Sequence, residues 1–152
     1  MGAEAKLNEL KITLPAATTP RANFVTSVQV GSLLFLAGHG PLRDGSVPVV
    51  GQLGAQITAE DGYRIARSVG LNLLATARAA LGSLDRVVRV VKVLGMVNSA
   101  PVFTEQPKVI NGFSDLMVEV FGEAGRHARS AVGMAQLPNG MPVEIEMILE
   151  VR

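Results

Sequence analysis

The clearest alternation of hydrophobic and polar residues lies near the C-terminus, from Val143 to Val151. Every odd-numbered position in this run is apolar, and three of the even-numbered positions are glutamates: Glu144, Glu146 and Glu150. A period of two places alternate side chains on opposite faces of an extended strand. The pattern therefore predicts a strand with one buried face and one polar face.

The residues before this strand predict the other arm of a β-hairpin. Asn139-Gly140 suits the positive φ angles of a tight turn. The arm itself, Ala128 to Gln136, consists mainly of small and apolar residues around one arginine, Arg129. A lone arginine, nearby carboxylates and a sheet face without bulky apolar side chains form an unusual combination. We expect the chemistry to lie there.

Two upstream patterns predict further strands. Phe24 to Val30 alternates, Gly31-Ser32 suits a two-residue turn, and Leu33 to Ala37 forms the return strand of a second hairpin. Val87 to Val97 is the run richest in β-branched residues, which predicts a central strand.

Three segments carry helix signals. Thr58 is a suitable N-cap, and the pattern continues from it to Leu81, before Gly82. Phe103 to Val120 predicts a second helix and Ala3 to Leu10 a short one. The helix after Thr58 carries a stripe of mostly small residues that predicts close packing against a sheet: Gly62, Ala66, Val69, Gly70, Leu73, Ala77 and Ala80.

The order (α)-β-β-α-β-α-β-β predicts an α+β domain of two layers, with two helices on one face of a mixed sheet of four to six strands. Residues 1–152 form one domain in this interpretation, with residues 1–22 as an N-terminal extension. Arg43 to Gly54 predicts a loop, with a short edge strand at Val47 to Val50. The other sheet face is too polar for a second core, so water or another subunit must cover it.

Composition argues against several classes of function. The chain has a net charge of +1 and no cysteine, with 48% hydrophobic and 18% charged residues. This balance argues against a nucleic-acid partner, a disulfide scaffold and a thiol nucleophile. Neither an export signal nor an apolar run of about 20 residues is present, so we predict a cytoplasmic protein without membrane contact. With only two histidines and no phosphate-binding glycine motif, we expect neither a metal nor a cofactor.

Arg129 allows two interpretations. Its neighbours on one strand face are Ala131, Gly133 and Ala135, which leave room beside a guanidinium that can grip a carboxylate with two hydrogen bonds. Alternatively, Arg129 pairs with Glu144 or Glu146 across the hairpin and serves structure alone.

The segment ARSAVGMAQLPNGMPVEIEMILEV strongly resembles the C-terminal signature of the YjgF/RidA family, also called the UK or liver perchloric-acid-soluble protein family. That signature is roughly R-S-x-V-x-x-x-x-L-P-x-x-x-x-V/I-E-I-E. The hairpin ending in Ala37-Gly38-His39, the helix with Asn72-Leu73 and the helix with Val109-Ile110-Asn111 agree in order with the family.

The resemblance implies a chorismate-mutase-like fold and a homotrimer whose three sheets face inward as a barrel. Ligand clefts would lie between subunits and bind a small carboxylate. Active family members hydrolyse enamines and imines, such as 2-aminoacrylate or 2-iminopropionate, to a 2-keto acid and ammonia. By position, Arg129 would hold the substrate carboxylate and Glu144 would orient the attacking water. The remaining cleft positions are Phe24, Gly38, His39, Asn111 and Ala131.

Three departures from the family pattern predict a divergent subgroup. Phe24 stands where the family has tyrosine, Ala37 where it has serine, and Ala131 where it has cysteine. The loss of two hydroxyls removes hydrogen bonds that would hold water or the imine nitrogen. One alternative function is therefore a non-catalytic trimer that binds a small carboxylate as a sensor or carrier. Ribonuclease activity or inhibition of translation has less physical support, because the chain is weakly basic and poor in aromatics.

Overall fold

The computed structural model describes all 152 residues and contains three helices and five strands in the predicted order. The helices are α1 (Ala3–Glu9), α2 (Ala59–Leu81) and α3 (Gln106–Phe121). The strands are β1 (Ser27–Val30), β2 (Leu33–His39), β3 (Val87–Asn98), β4 (Ala128–Met134) and β5 (Val143–Val151). The α+β class is confirmed.

The strands form one mixed sheet in the order β1-β2-β5-β3-β4. Only the β3–β4 pair is parallel, and the other neighbouring pairs are antiparallel. β5 is therefore the central strand, with β3 beside it in the interior of the sheet. The alternation that predicted β5 is confirmed, because its odd-numbered side chains are all buried.

The predicted C-terminal hairpin is wrong. β4 and β5 lie on opposite sides of β3, with Met134 opposite Asn98 and Val143 opposite Val97. The connection between them crosses the C-terminal end of β3. The turn predicted at Asn139-Gly140 is present in this connection, since Asn139 has a φ of 56°. However, the 16-residue helix α3 returns the chain to run parallel to β3, and this crossover puts β4 on the outer side of that strand.

α2 and α3 cover one face of the sheet and bury the main core against β2, β3 and β5. α2 begins after Thr58, whose hydroxyl accepts a hydrogen bond from the Asp61 amide, and ends at Gly82 in the left-handed conformation. The small residues of α2 mainly allow close packing against α3, whereas the sequence pattern predicted close packing against the sheet. A Cβ at Gly112 of α3 would collide with the Tyr63 carbonyl of α2. Ala80, predicted in the same stripe, is exposed.

The segment from Arg43 to Gly54 contains no strand at Val47 to Val50. It is fixed near its C-terminal end by Leu53, which is fully buried. Before the segment, Asn72 of α2 donates hydrogen bonds to the carbonyls of Gly40 and Leu42, both at 3.0 Å. The loop therefore begins and ends at defined points beside the sheet.

The N-terminal extension contributes α1 to the core. Leu7 is buried there, and Glu4 forms an ion pair with Arg78 of α2 at 2.7 Å. None of the helices is long and apolar enough to cross a membrane.

Candidate functional site

Arg129 points toward the helices. It is the second residue of β4 and pairs with Val93, which is buried in the core beneath the helices. Paired residues on neighbouring strands share a face of the sheet, so the arginine follows Val93 to the helix side. There it contacts Asn111 and Ser114, three residues apart on α3. Residues at this spacing lie on one face of a helix.

The guanidinium is held at one nitrogen only. Nη1 donates to Asn111 Oδ1 at 2.9 Å and to Ser114 Oγ at 3.1 Å. These bonds use both hydrogens of Nη1. No other hydrogen bond of the chain involves the guanidinium, and no carboxylate lies within ion-pair distance of it. The pairing with Glu144 or Glu146 considered from the sequence is therefore wrong. Nε and Nη2 form a free edge with donors for a planar anion.

Ser114 also contacts a histidine, His127. His127 Nδ1 lies 2.7 Å from the Gly125 carbonyl, which can only accept, so this nitrogen carries the proton. Partial burial, and then the charge of Arg129, lower the pKa of His127 and favour the neutral ring. Nε2 is therefore an acceptor, and the Ser114 hydroxyl donates to it at 3.0 Å. The face of β4 and α3 thus carries one connected group, the arginine cluster: Asn111, Ser114, His127 and Arg129.

Glu144 lies on the opposite face of the sheet, which we call the outer face because it points away from α2 and α3. It pairs with Met96 of β3, and its carboxyl group lies against Gly38 of β2, where a Cβ would be 3.1 Å from the carboxyl carbon. Glycine at this position therefore leaves room for the carboxyl group. Partial burial, and then the charge of Glu146, raise the pKa of Glu144. No hydrogen bond or ion pair within the chain engages this carboxylate.

The predicted cleft residues consequently separate into two groups. Arg129, Asn111 and Ala131 lie on the helix side of β4 and α3, and Ala131 packs against the core. Gly38 and Glu144 lie together on the outer face. Within one chain, the predicted carboxylate-binding group and the predicted water-orienting group are on opposite faces of the sheet.

The side chains of His39 and Phe24 join neither group directly. His39 follows Gly38 but points inward, where Nδ1 donates to the Ala37 carbonyl at 2.7 Å and Nε2 lies 2.8 Å from Thr76 Oγ1. It is 4% exposed, so its predicted place in the cleft is wrong for the side chain. Phe24 lies just before β1 and is 54% exposed. No three His, Asp or Glu side chains lie close enough to hold a metal ion.

Neither Ser114 nor His127 is among the site residues that the sequence predicts. No short motif joins them, since they lie 13 positions apart on different elements. The available signal was the spacing of Asn111 and Ser114, which places two polar side chains on one face of α3.

The fold and these positions define an α+β protein with a half-buried arginine at a sheet edge and a free carboxylate on the other face. A family model described as "YjgF/chorismate mutase-like, putative endoribonuclease" matches residues 4–146. The chain belongs to this family, as its C-terminal signature predicted. The fold is accordingly the chorismate-mutase-like fold of that family.

Individual relatives agree with this assignment. The chain is 50% identical over 147 residues to protein TCP17 of Trypanosoma cruzi, covering 96% of this chain and 92% of the relative. The crystal structure of Atu1372 from Agrobacterium tumefaciens, a protein of unknown function, is 44% identical, with a TM-score of 0.90 over 99% of this chain and 92% of that one. The YjgF gene product of E. coli is 26% identical, with a TM-score of 0.66 and coverage of 90% and 94%. The chain therefore resembles Atu1372 more closely than it resembles YjgF of E. coli.

Proposed function

We propose that this protein is an enamine/imine deaminase that hydrolyses small 2-imino acids to 2-keto acids and ammonia in the cytoplasm. The observation that carries this proposal is the free edge of Arg129. Both hydrogens of Nη1 are engaged by Asn111 and Ser114, while Nε and Nη2 are left without a partner. A substrate carboxylate is the planar anion that this edge fits with two parallel hydrogen bonds.

The reaction needs a group near the bound imine that accepts a proton from the attacking water. Glu144 is suited to this role, because its raised pKa makes it a stronger proton acceptor than an ordinary carboxylate. Water attacks the iminium carbon and gives a proton to Glu144, which forms a carbinolamine. Return of that proton to nitrogen breaks the C–N bond. Loss of the hydroxyl proton then leaves the 2-keto acid and ammonium.

A second copy of the chain would bring the two groups together. Proteins of this family are typically oligomers. The outer face is suited to contact with another subunit, since Val28, Phe35 and Val132 are each more than a third exposed there. A groove of about 440 Å³ also runs across it, lined by β1, β2, β3 and β5. We therefore include a homotrimer in the proposal, with Arg129 of one subunit facing Glu144 of the next.

The first experiment removes the carboxylate grip. Ammonia release is measured with 2-aminoacrylate generated in situ, against the spontaneous rate. Arg129→Ala should lower kcat/KM about 100-fold, because a bidentate charged pair contributes on the order of 3 kcal/mol. Arg129→Lys should have a higher kcat/KM than Arg129→Ala but a lower one than the unaltered protein, since lysine keeps the positive charge without the planar guanidinium. Arg126→Ala is the matched control, because Arg126 is exposed and pairs only with Glu123 at 3.5 Å. Full activity in Arg129→Ala, or no acceleration by the unaltered protein, overturns the proposal.

The second experiment tests whether the site is shared between subunits. Arg129→Ala and Glu144→Gln chains, each of which should have little activity alone, are mixed, unfolded and refolded together. If Arg129 and Glu144 come from different subunits, random assembly restores about a quarter of the sites, because each intact site needs one chain of each kind in the right order. Activity that stays at the level of the separate variants contradicts a shared site.

A second candidate is carboxylate binding without turnover. Phe24, Ala37 and Ala131 lack the hydroxyl and thiol groups that the family pattern has at these positions, which favours this candidate. Thermal shift with a panel of keto acids and amino acids distinguishes it. Stabilisation that depends on Arg129, without faster ammonia release, would favour a sensor or carrier.

A further inference from the structure

The guanidinium of Arg129 is oriented by a chain of three hydrogen bonds that begins at a main-chain carbonyl. Gly125 O accepts from His127 Nδ1, His127 Nε2 accepts from the Ser114 hydroxyl, and Ser114 Oγ accepts from Arg129 Nη1. The carbonyl fixes the proton of the ring on Nδ1, so Nε2 is left as an acceptor. The Ser114 hydroxyl then has its hydrogen on the histidine and its lone pairs toward the arginine.

We infer that His127 and Ser114 are positioning residues, which fix the Arg129 guanidinium so that its Nε–Nη2 edge faces a substrate carboxylate. A serine hydroxyl rotates freely unless a partner holds its hydrogen. His127 supplies that partner and so determines which side of Ser114 Oγ accepts from Arg129. Nη1 is held from two sides by Asn111 and Ser114, which leaves the guanidinium little freedom to turn.

His127 is itself held in place. Its ring meets Phe113 edge-to-face, with centroids 5.8 Å apart, and its Nδ1 bond reaches a carbonyl only two residues earlier. Phe113 is fully buried, so the ring rests against a rigid part of the core. The three hydrogen bonds thus connect the half-buried arginine at the sheet edge to a rigid part of the core and restrict its motion. Preorganisation of this kind lowers the entropy lost when a ligand is bound.

The two amide substitutions of His127 separate positioning from packing. Glutamine carries its terminal amide near the position of Nε2, so His127→Gln can still accept from Ser114. Asparagine is one carbon shorter, and its amide lies near the position of Nδ1, so His127→Asn keeps a polar group near Gly125 O but gives Ser114 no acceptor. Both variants lose the ring contact with Phe113. A purely structural role of His127 predicts similar behaviour of the two.

The inference rests on the proposed function for its ligand, so the test has one arm with pyruvate and one without ligand. Pyruvate affinity is measured by calorimetry for the unaltered protein and for Ser114→Ala, Ser114→Thr, His127→Asn and His127→Gln. Loss of one hydrogen bond in the chain predicts a roughly three- to tenfold weaker Kd in Ser114→Ala and His127→Asn. Ser114→Thr and His127→Gln should stay within about twofold of the unaltered protein, because each keeps the bond that its partner variant loses.

The arm without ligand follows the Arg129 Nε–H group by ¹⁵N relaxation. Its order parameter should be high in the unaltered protein and in His127→Gln, and lower in Ser114→Ala and His127→Asn. Unchanged order in Ser114→Ala, or equal behaviour of His127→Asn and His127→Gln in both arms, overturns the inference. If neither the unaltered protein nor any variant binds pyruvate while the order parameters split as expected, the positioning role stands and the carboxylate-binding role of Arg129 in the proposed function fails.

Discussion

The two histidines of this chain make the same hydrogen bonds in different places. In each, Nδ1 donates to the carbonyl two residues earlier at 2.7 Å, Ala37 for His39 and Gly125 for His127. In each, Nε2 meets a hydroxyl on a helix, Thr76 of α2 at 2.8 Å or Ser114 of α3 at 3.0 Å. Burial lowers the pKa of both rings.

The two histidine–hydroxyl pairs differ in what else the hydroxyl contacts. Thr76 is 2% exposed and passes its bond to no charged group, so the His39 pair is a closed contact between β2 and α2. Ser114 accepts from Arg129, so the His127 pair ends at a half-buried cation with a free edge. The same local unit can therefore satisfy a buried polar group or orient a binding residue. What decides between these roles is the second partner of the hydroxyl.

The largest expected effect that separates the two pairs is on stability. His39→Ala leaves a cavity and a buried Thr76 hydroxyl without its partner, which should lower the free energy of unfolding by about 2–4 kcal/mol. His127→Ala should cost less than half of that, because water can reach its half-buried site. Urea unfolding at pH 7.5 and one fixed protein concentration measures both. Equal losses, or a larger loss for His127→Ala, would contradict the distinction between a closed and an open pair.

A one-residue register shift in β2 explains the misplacement of His39. Leu36 pairs with Met147 and His39 pairs with Ile145, so β2 has one extra residue between them and His39 faces the core as Leu36 does. Family resemblance places Gly38 and His39 together in a cleft, but neighbouring strand residues point to opposite faces. Gly38 lies against Glu144 on the outer face, and His39 points inward to Thr76. A position in an aligned motif therefore does not by itself give the direction of a side chain.

The C-terminal strands show what a periodic pattern leaves undetermined. Alternation fixes which face of β5 is buried, and that prediction is confirmed. It does not fix which strand is the neighbour, so a turn at Asn139-Gly140 suggested a hairpin that does not form. The strand–helix–strand order of β3, α3 and β4 was the better signal, because parallel strands need such a crossover.

The arginine cluster was only half predictable. Arg129 and Asn111 follow from the resemblance, and their contact is present. Ser114 and His127 follow from neither period nor motif, because their hydrogen bond depends on how the middle of α3 packs beside the start of β4. Packing of that kind is set by the whole core.

An intermediate effect is expected from pH. The pKa of each histidine in the folded protein lies below the value of about 6.5 in an unfolded chain. As pH falls below about 6.5, the unfolded state takes up protons that the folded state does not, so stability is lost until the folded pKa is reached. The slope is at most about 1.4 kcal/mol per pH unit for each ring.

Unfolding of the unaltered protein, His39→Gln and His127→Gln at pH 7.5, 6.5 and 5.5 isolates each contribution. Glu144 has a raised pKa and acts in the opposite direction, but it is present in all three proteins and cancels in the differences. Each variant should lose less stability on acidification than the unaltered protein does. A variant that keeps the full pH dependence would show that the replaced histidine titrates normally in the folded state.

The smallest effects come from the hydroxyls, and they give the sharpest contrast. Thr76→Val keeps the shape of a buried side chain but leaves His39 Nε2 without a donor, which should cost about 1 kcal/mol of stability. Ser114→Ala should cost less, because its site is half-buried and water can replace the hydroxyl. Pyruvate affinity should change in the opposite order, weaker for Ser114→Ala and unaltered for Thr76→Val, since Ser114 contacts Arg129 and Thr76 does not. If Thr76→Val weakens pyruvate binding as much as Ser114→Ala does, the two pairs are coupled through the sheet and the contrast between them fails.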